Sequence, residues 1–239
     1  MGKLATLQRY ALAIFAPASV SAAHFVIQLL MLGHLLPAEF GAFAFLLILV
    51  QFGFGLSNAL ICTPYMINIS HGDPANPAHV MFFTANAVFA VLFGLAVSGA
   101  GLAIGADPWC YVFGAFGTLA MIRWFGRACN YTQLQPKAAA ISDIVYAASL
   151  VGIVALLVFN DTLGVGAVAA AFLVATALSC LCLGASFLRA QLAHLRLGGL
   201  SGYARVWRQQ SRWTLLGVVT TESTANIHSY LVTLLAGPA

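Results

Sequence analysis

The chain of 239 residues is 62% hydrophobic and 7% charged, with a mean hydropathy of +0.95 and a formal net charge of +4. Soluble domains carry about 25% charged residues, so this composition excludes a water-soluble globule and predicts a polytopic membrane protein. In hydrocarbon every backbone polar group must be satisfied internally, which leaves helices or a closed barrel. The apolar runs lack the alternation of barrel strands, so an all-α membrane protein is predicted.

Seven apolar runs, separated by turns that contain Pro, Gly, Asn or Asp, predict seven transmembrane helices. The first run follows two basic residues, as in a secretory signal. It continues to Leu36 without a polar break and contains Pro17, so a retained helix is favoured over a cleaved signal. The predicted helices are Tyr10–Leu36, Gly41–Ile69, Ala78–Gly105, Trp109–Phe125, Ala138–Phe159, Val165–Leu188 and Trp213–Ala236.

The basic residues predict the orientation of these helices. All 10 fall at the amino terminus, between helices four and five, or between helices six and seven. The opposite connections carry Glu39, Asp107 and Asp161 and no Lys or Arg. The positive-inside rule therefore places the amino terminus in the cytoplasm, and the net charge requires no nucleic-acid partner. The main cytoplasmic basic candidates are Arg123, Arg127, Lys137, Arg205 and Arg208.

No motif indicates catalysis. The sequence contains no Gly-rich phosphate loop, no HExxH and no GxSxG. Its five cysteines lie in or at the ends of the predicted spans without metal-type spacing, so they are interpreted as packing residues. We therefore predict a protein that is not an enzyme and that has no metal site.

Polar residues recur on one face of helices one, two and seven, at helical spacing. Side chains of this kind at membrane depth either hydrogen-bond neighbouring helices or line a polar cavity, and the sequence leaves both interpretations open. The candidate cavity residues are His24 and Gln28 on helix one, Gln51 and Asn58 on helix two, and Glu222, Asn226 and Ser229 on helix seven.

Two carboxylates lie inside predicted spans. Glu222 follows Trp213 by nine residues, which puts it about 14 Å into its helix. It is interpreted either as a carboxylate that couples transport to a proton or Na⁺, or as a protonated structural group. Asp143 lies near the start of helix five, where the helix dipole favours it and where Arg123, Arg127 or Lys137 could pair with it.

Two segments resemble a known family. The first, from Leu32, reads LGHLLPAEFGAFAFLLILVQF; the second, from Arg123 to Ala147, reads RWFGRACNYTQLQPKAAAISDIVYA. They resemble the junction of helices one and two, and the connection of helices four and five, in polysaccharide exporters and lipid-linked oligosaccharide flippases. These proteins belong to the multidrug/oligosaccharidyl-lipid/polysaccharide exporter superfamily.

The resemblance implies two homologous six-helix lobes. Residues 1–188 would form the first lobe, 189–212 a basic cytoplasmic linker, and 213–239 the first helix of a second lobe, with Pro238 matching Pro37. A chain that ends there is expected to be a fragment that does not transport alone.

The implied function is the export or flipping of a polyprenyl-diphosphate-linked glycan, or another amphiphile, across the bacterial inner membrane by alternating access. A coupling proton or Na⁺ would be the only cofactor, and glycan polymerase or assembly proteins would be candidate partners. Two alternatives stay open: a cation-coupled multidrug exporter of the same superfamily, and a non-transporting truncated membrane protein.

Overall fold

The computed structural model describes residues 3–69, 78–193, 197–221 and 224. This part of the chain is almost entirely helical and contains no strand. The helices are α1 (Lys3–His34), α2 (Pro37–Asn68, with a π-turn at Asn58–Cys62), α3 (Ala78–Ala103), α4 (Cys110–Thr132), α5 (Pro136–Phe159), α6 (Val165–Leu181), α7 (Ala185–Ala193) and α8 (residues 203–221, with a π-turn at Trp207–Ser211).

Within the part of the chain that the structure describes, four helices are long and apolar enough to cross a membrane: α1 from Ile14, α2, α3 and α5. A fifth span would result if α6 and α7, which are bent by 103° relative to each other, count as one. The described residues are therefore all-helical, with four or five helices able to span a membrane, and the predicted count of seven stays a prediction. Helix α4, which carries Arg123 and Arg127, is not among the four.

The helices form a bundle around an aromatic core. Helix α3 lies along α4, α6 packs against both α4 and α5, and α1 packs mainly against α5. The rings of Phe43, Phe113, Phe116 and Phe172 meet between α2, α4 and α6, with centroid separations from 5.1 to 6.4 Å. Only 22% of the apolar window of α1 is buried, so α1 is the outermost span in the described part of the bundle.

Two small-residue motifs bring α3 and α4 into close contact. Gly94 and Ser98 on α3 face Gly114 and Thr118 on α4. A Cβ atom added at Gly94 would lie 2.6 Å from the carbonyl oxygen of Gly114, and one added at Gly114 would lie 2.6 Å from that of Gly94. Small residues spaced four apart let helix backbones approach in this way in membranes. The antiparallel α3–α4 pair is therefore held at backbone contact.

Helix α4 is longer than predicted. The prediction ended it at Phe125, yet it continues to Thr132, and the chain then turns through Leu134, which has a φ of 57°. Arg127, which the prediction assigned to the connection between helices four and five, is paired inside the bundle. Its charge therefore does not have to reach water, and the helix continues.

Helix α6 is shorter than predicted. It ends at Leu181 instead of Leu188, and the chain turns sharply into α7. Gly184 lies at the turn with a φ of +100°, a conformation that residues with a Cβ rarely adopt. Phe187 of α7 is buried against Phe83, Phe125 and Gly126, which holds α7 across the ends of α3 and α4.

The proline in α2 creates an attachment point for α8. Pro64 has no N–H, so the carbonyl of Leu60, four residues earlier, lacks its usual helical donor. That carbonyl accepts hydrogen bonds from the hydroxyls of Tyr203 at 2.7 Å and Ser211 at 3.3 Å. Burial at this contact raises the pKa of Tyr203. The π-turns of α2 and α8 lie against each other there.

The π-turn of α8 places both hydroxyls on one face. Ser211 follows Tyr203 by eight residues, which in an ordinary α-helix would rotate it about 80° away. The π-turn takes up one extra residue, so Ser211 returns to the face that carries Tyr203 and Val206. Gln210 adds a third link, because its Oε1 atom accepts a hydrogen bond from Nδ2 of Asn68 at 3.1 Å.

Removing both hydroxyls should loosen α8. The double variant Tyr203→Phe, Ser211→Ala leaves the Leu60 carbonyl without these donors, and each lost hydrogen bond costs about 1 kcal/mol. We expect faster amide hydrogen exchange across residues 203–212, measured by mass spectrometry in detergent. In a Pro64→Ala background residue 64 regains its N–H, so the same double substitution should accelerate exchange much less. Equal acceleration in both backgrounds would contradict the assignment of Leu60 as the shared acceptor.

Candidate functional site

Three charged side chains meet inside the bundle between α4 and α5. Arg123 and Arg127 lie four residues apart on one face of α4, and both point at Asp143 of α5. Nη2 of Arg123 lies 2.5 Å from Oδ1 of Asp143 in a hydrogen-bonded ion pair. Nη2 of Arg127 lies 2.9 Å from Oδ2, close enough for an ion pair although not aligned for a hydrogen bond. The Asp143 side chain is 0% exposed, so the carboxylate depends on these two partners.

Aromatic rings stabilise the positive charge that Asp143 does not neutralise. Two guanidinium groups share one carboxylate, so this cluster carries a net charge of +1. The guanidinium of Arg123 lies 4.4 Å from the ring centroid of Tyr146, and that of Arg127 lies 4.5 Å from that of Trp124. The face of an aromatic ring attracts a cation, more strongly when both are desolvated. Each arginine thus has one anionic and one aromatic contact.

The same two rings extend the cluster to α1 and α2. The Tyr146 hydroxyl lies 2.8 Å from Nε2 of His24 on α1. Nε1 of Trp124 donates a hydrogen bond to Oδ1 of Asn58 on α2, also at 2.8 Å. These side chains come from four helices, and together we call them the α4–α5 polar network. Its members are His24, Asn58, Arg123, Trp124, Arg127, Asp143 and Tyr146.

The network includes two of the predicted cavity residues, His24 and Asn58. Of the others, Gln28 is half-buried and Gln51 is exposed, and neither belongs to the network. The polar faces of helices one and two therefore split between an interior network and the bundle surface. Three further predicted cavity residues lie outside the described residues: Glu222, Asn226 and Ser229.

The predicted basic residues also divide into two groups. Arg123 is buried and Arg127 nearly so, within α4, which corrects the prediction that placed Arg127 in the connection to helix five. Lys137, Arg205 and Arg208 are exposed. The predicted pairing of Asp143 is confirmed for both arginines, while Lys137 takes no part in either ion pair.

Sequence reasoning missed the aromatic members, Trp124 and Tyr146. The signal was present in the spacing: Asp143 and Tyr146 lie three residues apart on α5, as Trp124 and Arg127 do on α4. Residues at this spacing share a helix face. The two faces could have been matched, because helices four and five were predicted as consecutive spans, which run antiparallel to each other.

A second buried polar contact lies near α7. Nε2 of Gln191 donates to the backbone carbonyl of Phe83 at 3.1 Å, and Nδ2 of Asn86 donates to Oε1 of Gln191 at 3.4 Å. Both amides are almost fully buried. This contact fixes α7 against α3 and adds no charge. Across the described residues, no group of three or more His, Cys, Asp or Glu side chains is placed to hold a metal ion.

Comparison with known proteins adds no relative: no family model, no curated protein and no solved structure matches the chain. What the site can bind is therefore inferred from its geometry and charge alone. A net cationic network connects four helices, three of which are able to span a membrane.

Proposed function

We propose that the chain is part of an exporter that moves a polyprenyl-diphosphate-linked glycan across the cytoplasmic membrane. One observation carries the proposal. The segment Arg123–Ala147, on which the family resemblance depends, supplies five of the seven members of the α4–α5 polar network. Sequence resemblance and buried charge therefore coincide in the same stretch of chain.

The location of the network fits alternating access. Ionisable residues at membrane depth are costly, and their usual roles are substrate pathways, coupling and gating. In this class of mechanism one lobe moves largely as a rigid body against another. A network that ties α1, α2, α4 and α5 together gives one lobe that rigidity. In the proposed arrangement residues 1–188 form this lobe, 189–212 the cytoplasmic linker, and 213–239 the start of a second lobe.

The sign of the charge favours an anionic amphiphile. The network carries two guanidinium groups and one carboxylate, and a diphosphate headgroup is a natural ligand of arginine. An organic cation, the substrate of the multidrug alternative, would be repelled by the same group. Glu222 remains the proposed coupling carboxylate for a proton or Na⁺.

An export assay tests the proposal. The full-length gene that contains this coding segment is expressed in a bacterial strain lacking its own glycan exporter, and surface glycan is measured by lectin binding. We expect export to be restored, and Arg127→Gln to reduce it at least tenfold because the network loses the cation nearest its exposed edge. Lys137→Gln, which alters an exposed cation outside the network, serves as the matched control. Immunoblots of membranes verify equal protein levels.

Each other outcome has a defined meaning. Restored export that Arg127→Gln leaves unchanged would remove the network from the transport mechanism. Efflux of a cationic dye without glycan export would favour the multidrug alternative, and absence of both would favour a non-transporting protein. Unchanged export in a Glu222→Gln variant would remove the coupling role from Glu222.

A further inference from the structure

Helix α8 has two faces of different character. The face that carries Tyr203, Val206 and Ser211 is fixed to α2 through the carbonyl of Leu60. The opposite face is exposed and basic. Arg205, Arg208 and Gln209 line an open groove of about 350 Å³ there, and Arg212 follows one turn after Arg208, also exposed.

The sequence around the groove contains no compensating acid. Between Asp161 and Glu222 the chain has five arginines and no Asp or Glu. Among the described ion pairs, neither Arg205 nor Arg208 has a carboxylate partner. Arg208 uses its Nε atom for a hydrogen bond of 3.3 Å to the backbone carbonyl of Ala204. Its terminal nitrogens form no hydrogen bond or ion pair with other described residues.

Two exposed tryptophans belong to the same helix. Trp207 is 39% exposed and Trp213 is 61% exposed, and the guanidinium of Arg212 lies 4.6 Å from the Trp213 ring centroid. Tryptophan concentrates at the boundary between hydrocarbon and water because its ring is apolar and its N–H is polar. The contact with residues Leu60 to Asn68 places α8 at the carboxyl end of α2, a helix able to span a membrane.

We propose that this groove binds the phosphate headgroup of an anionic bilayer phospholipid. Arg205 and Arg208 would hold the phosphate oxygens, Gln209 would donate a further hydrogen bond, and Trp213 would lie beside the glycerol and upper acyl chains. Arginine recognises phosphate in a bidentate geometry and attracts it by charge. Basic segments next to a membrane span recognise anionic lipids by this combination of charge and position. The inference requires only a membrane protein and does not rest on glycan export.

Fluorescence quenching by brominated lipids tests the proposal on the full chain. The protein is reconstituted into vesicles of phosphatidylcholine and phosphatidylglycerol at a fixed ratio, with bromine either on the phosphatidylglycerol or on the phosphatidylcholine. We expect tryptophan fluorescence to be quenched at least twofold more by brominated phosphatidylglycerol. In Arg205→Gln, Arg208→Gln the two lipids should quench equally. Arg189→Gln, which removes an exposed arginine on α7 outside the groove, is the matched control and should retain the preference.

Two further measurements make the outcome decisive. In Trp207→Phe, Trp213→Phe the lipid preference should disappear, which assigns the signal to the tryptophans of α8. Inorganic phosphate at millimolar concentration should leave the preference intact; its abolition by phosphate would identify a free-anion site and overturn the lipid assignment. Equal quenching of the unaltered protein by both lipids, or a preference retained in Arg205→Gln, Arg208→Gln, would also overturn it.

Discussion

Replacing Asp143 with asparagine is expected to lower the free energy of unfolding by about 3–5 kcal/mol, the usual cost of removing one partner from a buried ion pair. The substitution keeps the shape of the side chain and removes its charge. Arg123 and Arg127 would then be two cations side by side, supported only by the rings of Tyr146 and Trp124. The change is measured by titration with sodium dodecyl sulfate from mixed micelles, followed by circular dichroism.

Asp107→Asn provides the comparison, because Asp107 is exposed in the turn before α4. That variant should unfold within about 0.5 kcal/mol of the unaltered protein, as surface substitutions generally do. A second variant, Asp143→Asn combined with Arg127→Gln, removes one of the two unbalanced cations and should recover part of the loss. Equal stability of the two single variants would show that the arginines do not depend on Asp143.

Replacing Gly94 with alanine should destabilise the α3–α4 pair by about 1–3 kcal/mol, the range for inserting atoms into a filled interface. The new methyl group would lie 2.6 Å from the carbonyl oxygen of Gly114 and would also meet the hydroxyl of Thr118. The carbonyl belongs to a helix backbone and cannot rotate away, so the two helices must separate. The same detergent titration measures the loss.

Gly152→Ala is the matched substitution, since a Cβ atom at Gly152 of α5 meets nothing within 4 Å. Alanine is favoured over glycine in a helix by about 0.5–1 kcal/mol, so this variant should be as stable as the unaltered protein or more stable. A Gly94→Ala protein as stable as Gly152→Ala would mean that α3 and α4 are not in backbone contact.

The sequence predicted the helical class and most helix positions because hydropathy and turn residues are local signals. It also named Arg123 and Arg127 among three possible partners of Asp143, and both pair with it, whereas the third, Lys137, does not. It failed where structure depends on tertiary contacts. The extension of α4 past Arg127 requires knowing that Asp143 neutralises that residue, and the bend after α6 depends on Gly184 and the burial of Phe187.

The candidate site was predicted in pieces. His24, Asn58, Arg123 and Arg127 were each identified, but as members of separate cavity and surface groups. Trp124 and Tyr146 connect them. Both rings are uncharged, so in an apolar helix the sequence alone does not distinguish them from packing residues. The close approach of α3 and α4 could not be predicted either. The sequence shows the glycines, but the pairing of Gly94 with Gly114 depends on the axial register of one helix against the other.

The single oxygen shared by Tyr203 and Ser211 has a consequence for how α2 is set within the bundle. A turn of α2 about its own axis by one residue, about 100°, would swing the Leu60 carbonyl out of reach of both hydroxyls. Helix α8 therefore prevents α2 from rotating about its own axis. Because Asn58 and Gln51 belong to the same helix as Leu60, fixing the rotation of α2 also fixes the directions in which their amide groups point.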